Sequence, residues 1–219
     1  YRKDSLLIRE SIPSEKILYI ASSEMDPVHL SLIFSIVFIL LKFLRSKQHD
    51  IAGRDNRFIF WRIKMKVCFI NPPFKAEYGK FSRESRSPSI GHSGVLYYPL
   101  WLIYAACVAE KNGFEVAFID APAKQMNKEQ TLERVKKEAS DAKLFVFDTS
   151  TPSIYSDVEF AGIIKKMYPN AFTMLVGTHP SATPDETMGI SELIDGLARH
   201  EYDYIVRDTA IAIRDGADL

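Results

Sequence analysis

The sequence is poor in cysteine: Cys68 and Cys107 are the two in 219 residues, and they lie 39 positions apart in apolar stretches. There is no C-x-x-C pair and no cluster of histidine and cysteine at zinc or iron–sulfur spacing, which argues against a disulfide or a metal site. A cysteine-ligated cluster cannot be assembled from this chain alone. We expect both cysteines to be reduced core residues of an intracellular, cytoplasmic protein.

Several catalytic and ligand-binding signatures are also missing. The sequence has no G-x-x-x-x-G-K-[ST] phosphate loop and no G-x-G-x-x-G after its first predicted strand, so neither common nucleotide-binding fingerprint is present. It has no G-x-S-x-G and no triad-like order of serine, histidine and aspartate. No catalytic constellation is complete, and we predict no catalytic residue in this chain.

The sequence has no net charge, but this balance hides two unlike parts. Residues 1–64 carry 11 basic and 7 acidic groups, whereas residues 65–219 carry 17 and 21. The second part is acidic, which disfavours binding to nucleic acid. We therefore expect no nucleic-acid partner.

The first 64 residues show no motif that can be tied to chemistry. Residues 28–41 are free of formal charge, and residues 42–64 then carry seven basic side chains. A membrane helix needs about 20 apolar residues, so the segment 28–44 is short for a span but remains a candidate membrane anchor. The alternative is that residues 1–64 are a mostly helical or irregular, non-native leader and that the domain begins with Met65.

Residues 65–219 alternate short β-rich runs with amphipathic helices, which predicts βαβ units, a parallel sheet and helices on both faces. The expected fold is α/β, flavodoxin-like (Rossmann-like) and doubly wound, with five parallel strands in the order 2-1-3-4-5. The predicted strands are 66–71, 115–119, 144–147, 173–176 and 193–198.

The helices are predicted from periodicity and capping signals. Residues 99–112 carry apolar side chains at helical spacing, which predicts an inward face; its members are Leu100, Ile103, Tyr104, Cys107 and Val108. Asn127 with Gln130 predicts a capping box, as does Ser156 with Glu159. Thr183 followed by Pro184 predicts the capped start of a further short helix.

Ligands of such sheets bind beyond the carboxyl ends of the strands, where the strand order reverses. The first loop there, 74–98, is long and contains Arg83 and Arg86, which suit either an anion clamp or a solvated flap. The third-strand loop, 148–153, is rich in hydroxyls. In the fourth-strand loop, Gly177 would let a ligand approach the backbone. His179 suits either a structural role or a metal ligand, and nothing nearby completes a metal set.

Several segments together resemble a known family. They are MKVCFINPPF, Arg86-Ser87-Pro88, YYPLWLIYAACVAEKNGFEVAFIDAPA, FDTSTPS, VGTHPSATPDET and ARHEYDYIVRD. As a set they resemble the N-terminal cobalamin-binding domain of B12-dependent radical SAM enzymes, the group that contains the anaerobic magnesium-protoporphyrin cyclase. The resemblance covers about residues 65–215.

The resemblance implies a cobalamin over the first, third and fourth loops. The contacts it implies are Asn71, Pro72, Pro73, Thr149, Ser150, Thr151, Gly177, Thr178, His179, Pro180 and Ser181. The D-x-H-x-x-G motif of other B12 proteins, whose histidine ligates cobalt, is not in the sequence. We therefore expect no axial histidine and no other metal ligand from this domain.

Family members continue into a radical SAM barrel that holds a 4Fe-4S cluster and S-adenosylmethionine, and this chain ends before such a segment. The resemblance thus implies a truncated, non-catalytic cofactor-binding half that works with a barrel in cis or in trans on an unidentified small molecule. Two alternatives remain: a flavodoxin-like regulatory or interaction module without a cofactor, and one half of a glycosyltransferase, which rests on fold analogy alone.

Overall fold

The computed structural model describes residues 6–8, 64–75, 80–83, 90–91, 96–217 and 219. The chain divides into two compact units, one made of 1–13 with 64–219 and the other of 14–63, and the described residues all belong to the first. The apolar segment 28–44 lies outside the described residues. Within the described ranges, no helix is both long enough and apolar enough to cross a bilayer.

The first unit is built on a six-stranded sheet. Its strands are β1 (Leu6–Ile8), β2 (Lys66–Asn71), β5 (Glu115–Asp120), β6 (Leu144–Thr149), β7 (Phe172–Gly177) and β8 (Gly196–Ala198). The sheet order is β1-β8-β7-β6-β2-β5, and β1 pairs antiparallel with β8 at one edge. The other five strands are parallel. The strands β3 (Lys80–Phe81) and β4 (Ile90–Gly91) form a separate antiparallel pair.

Within the part of the chain that the structure describes, six helices accompany these strands. They are α1 (Leu100–Lys111), α2 (Lys128–Ala139), α3 (Ile154–Met167), α4 (Thr178–Ala182), α5 (Pro184–Ile190) and α6 (Asp203–Arg214). One apolar cluster joins the sheet to α1 and α6, and a second joins it to α2, α3 and α5. Successive residues of β6 alternate between the two clusters, because neighbouring side chains of a strand point to opposite faces. The sheet is therefore covered on both faces.

The predicted fold class and strand order are confirmed. The five parallel strands run in the order β5-β2-β6-β7-β8, which is 2-1-3-4-5 when they are counted along the chain from β2. The short edge strand β1 was not predicted. The capping box at the start of α2 is also confirmed, because the Asn127 side chain accepts from the Gln130 backbone N–H and the Gln130 side chain accepts from that of Asn127.

The predicted inward face of α1 is wrong. Leu102, Ala105, Ala106 and Ala109 are the buried residues of this helix. The predicted members Leu100 and Tyr104 are exposed, Cys107 is exposed too, and Ile103 and Val108 are half-buried. The prediction followed the larger side chains, whereas the helix approaches the sheet closely through alanines. Of the two cysteines, only Cys68 is a core residue.

Two predicted helix starts also need correction. Helix α3 begins at Ile154 after Ser153, two residues before the predicted cap Ser156. The Ser153 hydroxyl donates to the Asp157 carboxylate and does not cap the backbone. At α5 the Thr183 side chain makes no capping bond; its hydroxyl lies within hydrogen-bonding distance of His179 instead.

Candidate functional site

The carboxyl ends of the parallel strands bring the predicted loops together. Asn71 at the end of β2 lies opposite Asp120 in β5, and Thr149 at the end of β6 lies opposite Gly177 in β7. The Asn71 side chain donates to the Asp120 carboxylate over 3.0 Å. The first, third and fourth loops therefore leave the sheet side by side, as the predicted topology requires.

Gly177 is needed where β7 ends. Its φ of +114° is a conformation that residues with a side chain rarely adopt, and an added Cβ would lie 2.2 Å from the Thr149 carbonyl oxygen. The Thr149 hydroxyl in turn donates to the Val176 carbonyl over 2.7 Å. The close neighbour of Gly177 is thus the backbone of β6, which gives this glycine a structural role whether or not a ligand also approaches it.

His179 is buried in α4 and joins the third loop to the fourth. Its Nδ1 lies 3.3 Å from the Thr151 hydroxyl, and its Nε2 lies 3.2 Å from the Thr183 hydroxyl. A neutral imidazole donates from one ring nitrogen and accepts at the other, so one tautomer satisfies both contacts. These contacts therefore support a structural role for His179.

Among the described residues, uncharged hydroxyls belong to the groups that this edge presents outward. Thr151 and Thr178 are exposed, and Ser181 is half-buried. The Ser181 hydroxyl donates to the Gly177 carbonyl over 2.7 Å and accepts from the His200 backbone N–H over 2.8 Å. The hydroxyls of Thr151 and Thr178 suit a ligand rich in amide groups, because a hydroxyl can both donate and accept a hydrogen bond, and Ser181 retains an acceptor site.

Beneath this surface lies a buried ion pair that the sequence did not reveal. The Arg83 and Asp157 side chains are 1% and 0% exposed. Nε and Nη2 of Arg83 donate to Oδ2 and Oδ1 of Asp157. Nη1 of Arg83 also donates to Asn71 Oδ1 over 2.6 Å and to the Pro72 carbonyl over 2.9 Å. Arg83 therefore points inward rather than clamping an outside anion; Arg86 lies outside the described residues.

The network continues into the third loop. The Ser153 hydroxyl donates to Asp157 Oδ2 over 2.6 Å and lies 2.9 Å from the Ser150 hydroxyl. Burial raises the pKa of Asp157, while the Arg83 guanidinium and the Ser153 hydroxyl act in the opposite direction. Burial likewise raises the pKa of Asp120, against the hydrogen bonds that it accepts from Ala123 and Asn71. The carboxyl groups of Asp120 and Asp157 are therefore both held by hydrogen bonds near the carboxyl edge of the sheet.

The predicted site residues fall into two groups in the structure. Buried members are Asn71, Pro72, Pro73, Thr149, Ser150, His179 and Pro180; exposed or half-buried ones are Thr151, Gly177, Thr178 and Ser181. Ser153 lies in the predicted hydroxyl-rich loop but is not among the predicted contacts, and no motif marks Asp157. Of the described residues, no three His, Cys, Asp or Glu side chains come together as a metal site.

Comparison with known proteins places the chain in a family. The sequence profile of the B12 binding domain matches residues 87–205, which is more than half of the chain. This match runs from the long first loop to the first turn of α6 and includes the third and fourth loops.

Two curated relatives are each 24% identical to the chain. One is an uncharacterised methyltransferase of Pyrococcus horikoshii, matched over 155 residues that make up 71% of this chain and 31% of the relative. The other is the anaerobic magnesium-protoporphyrin IX monomethyl ester cyclase of Rubrivivax gelatinosus, matched over 153 residues, 69% of this chain and 25% of the relative. The chain spans less than a third of the length of either protein.

Among solved structures, the radical S-adenosylmethionine methyltransferase TsrM of Kitasatospora setae has a similar fold. The two are 17% identical with a TM-score of 0.53, and the match covers 71% of this chain and 27% of that one. At this identity the likeness concerns the fold. Together with the profile match and the two relatives, it confirms the resemblance found in the sequence: the chain belongs to the family of B12 binding domains and is related to B12-dependent radical SAM enzymes.

Proposed function

We propose that this chain holds a cobalamin at the carboxyl edge of its sheet and presents it to a radical SAM barrel, in the same polypeptide or in a separate one. The observation that carries the proposal is the convergence of three loops of a B12 binding domain at one edge, with outward hydroxyls on two of them. A bound corrinoid supplies cobalt chemistry, either methyl transfer or assistance to a radical reaction.

The groups at this edge suit the periphery of a corrin. Thr151, Thr178 and Ser181 offer uncharged hydroxyls to amide side chains. Because Gly177 has no side chain, none projects from the end of β7 toward the ligand. His179 is engaged by two threonine hydroxyls, so we assign it to positioning Thr151 and not to ligating cobalt. The remaining predicted contacts support these loops from within.

The partner barrel is proposed from the relatives. They are three to four times as long as the matched segment, and TsrM is named as a radical SAM methyltransferase. Helix α1 follows β2 in a crossover to the parallel strand β5, so its first turn lies at the carboxyl edge. Tyr97, Tyr98 and Trp101 are exposed there, and a cluster of exposed aromatic side chains is typical of an interaction surface.

The test is retention of a corrinoid by the whole chain. Protein is incubated with hydroxocobalamin, desalted and examined by visible absorption, together with the variants Thr178→Trp and Thr151→Trp. Both variants put a large side chain at an exposed position of the proposed site. The matched control is Ser140→Trp, because Ser140 is exposed at the far end of α2, on the amino side of the sheet.

We expect the unsubstituted chain and Ser140→Trp to retain corrinoid absorbance and the two threonine variants to lose most of it. An unsubstituted chain that elutes colourless refutes cofactor binding and favours a regulatory or interaction module. Full retention by both threonine variants refutes the proposed position of the site. Ser150 and Gly177 are poor choices for this test, since bulky residues there would disturb the packing of β6 and β7 themselves.

A further inference from the structure

Arg83 occupies an unusual position for a loop arginine. It lies just after strand β3, within the long connection from β2 to α1. Its side chain is nevertheless only 1% exposed. Its guanidinium lies over the Phe81 ring at 5.1 Å, and Phe81 stacks on Phe74. The long first loop is thereby packed down onto the sheet edge at this point.

The guanidinium contacts the first loop directly and reaches the third loop through Asp157 of α3. In the first loop it binds the Asn71 side chain and the Pro72 carbonyl. In the third it acts through Asp157, whose carboxylate accepts from Ser153, and Ser153 in turn contacts the Ser150 hydroxyl. A planar guanidinium with five donors can make all these contacts at once, which a lysine ammonium cannot.

These contacts run below the outward hydroxyls and not among them. The members of the network are all buried, namely Arg83, Asp157, Ser153 and Ser150. Thr151, which lies between Ser150 and Ser153, is exposed. The Ser153 backbone N–H also donates to the Ser150 carbonyl over 3.0 Å, which closes the turn that carries Thr151. The shape of the turn thus depends on a network that a ligand at the edge does not touch.

We propose that Arg83 and Asp157 are positioning residues, which lock the first and third loops in the shape that binds the corrinoid before it arrives. This inference rests on the proposed function of the edge and names the device that organises it. Without the lock the loops must be ordered by binding itself, and that cost appears as weaker affinity.

Three variants of the whole chain separate positioning from mere stability. Arg83→Met leaves Asp157 buried without its cation; Arg83→Lys keeps the charge but loses the fork; and Arg83→Met with Asp157→Leu removes both charges. Replacing both members of a buried pair by apolar residues commonly restores stability, whereas removing one does not. The control is Arg134→Met, which breaks the half-buried ion pair of Arg134 with Glu138 on α2.

Each variant is measured in three ways: urea unfolding, hydroxocobalamin affinity, and hydrogen exchange of segments 71–75 and 150–153 without ligand. We expect the single Arg83→Met change to lower stability and to weaken affinity by about tenfold or more, Arg83→Lys to fall between it and the unsubstituted chain, and Arg134→Met to change neither. The double variant should regain stability but keep weak affinity and fast exchange in both segments.

Recovery of affinity together with stability in the double variant would overturn the proposal, because the pair would then be purely structural. Unchanged exchange in both segments would overturn it as well. Failure of the unsubstituted chain to bind hydroxocobalamin is a different outcome, which refutes the function of the edge; the exchange measurement on the ligand-free chain still reports whether Arg83 fixes the two loops.

Discussion

At the scale of single residues, Gly177 shows how tightly the sheet edge is packed. The residue has a φ of +114°, and a Cβ there would lie 2.2 Å from the Thr149 carbonyl oxygen and 3.0 Å from the Thr149 nitrogen. An added methyl group must therefore push the ends of β6 and β7 apart. The strained backbone conformation and the steric overlap would both lower the stability of the fold.

We expect Gly177→Ala to lower the free energy of unfolding by about 1–3 kcal/mol, the usual cost of a side chain in a disfavoured backbone conformation. The control is Gly189→Ala in α5, where an added Cβ meets nothing within 4 Å. Alanine favours a helix over glycine, so this control should be neutral or slightly stabilising. Urea unfolding followed by circular dichroism measures both, and equal midpoints for the two variants would contradict the packing argument.

The sequence identified Gly177 correctly as a special position but for an incomplete reason. A glycine after a buried strand indicates backbone that must come close to something, and the sequence alone does not say to what. A ligand was the prediction, whereas the observed neighbour is Thr149, 28 residues earlier in the chain. Which strand lies beside β7 follows from the sheet order, and the close contact becomes visible only in three dimensions.

At the scale of elements, α1 carries its largest apolar side chains toward solvent. Trp101 is 58% exposed, whereas Leu102, Ala105 and Ala109 are completely buried against the sheet. Small side chains let a helix lie close to a sheet, and a face rich in alanine scores low in any pattern that weights size. The periodicity of the helix was therefore predicted correctly while its orientation was not.

Neighbouring positions of α1 provide a matched test of this orientation. Leu102→Ala should lower the free energy of unfolding by about 2–5 kcal/mol, because it removes a buried side chain and leaves a cavity. Trp101→Ala should change it by less than about 0.5 kcal/mol, since an exposed side chain loses little on truncation. Chemical denaturation compares the two; a larger loss for Trp101→Ala than for Leu102→Ala would contradict the observed orientation of α1.

The strands were easier to predict than the contacts at the helix starts. Runs such as 66–71 combine β-branched and aromatic residues with a proline stop, and each predicted parallel strand is present in the sheet. The start of α3 was missed because the Ser153 hydroxyl binds the Asp157 side chain and leaves the backbone uncapped. Capping patterns predict hydrogen bonds between residues close in the chain. The Ser153 hydroxyl instead belongs to a network that includes Arg83, which is distant in the sequence.

At the scale of the whole molecule, the contacts that the sequence did not predict are those between residues far apart in the chain. Arg83 and Asp157 are 74 residues apart, and their contact requires both the β3–β4 hairpin and the order of strands in the sheet. The three loops at the carboxyl edge were predicted because topology alone brings strand ends together. The network beneath them depends on side chains whose meeting no spacing rule describes.

The sheet links two apolar clusters that do not share a residue. Ile164 of α3 belongs to one cluster and Val206 of α6 to the other, and both side chains are completely buried. Strand β6 contributes Phe145 and Phe147 to the first cluster and Leu144 and Val146 to the second. Unfolding of this strand must therefore disrupt both faces together, which makes the exchange of its amides a measure of the stability of the whole unit.

We expect Ile164→Val to cost about 1 kcal/mol and Val206→Ala about 2 kcal/mol, from the buried methyl and methylene groups removed and the cavities left. In the double variant the two losses should add to within about 0.5 kcal/mol, because the residues belong to different apolar clusters but weaken the same cooperative unit. Native-state hydrogen exchange of segment 144–149 measures all three variants. If either single substitution leaves the exchange of this segment unchanged, the two faces unfold separately and β6 does not couple them.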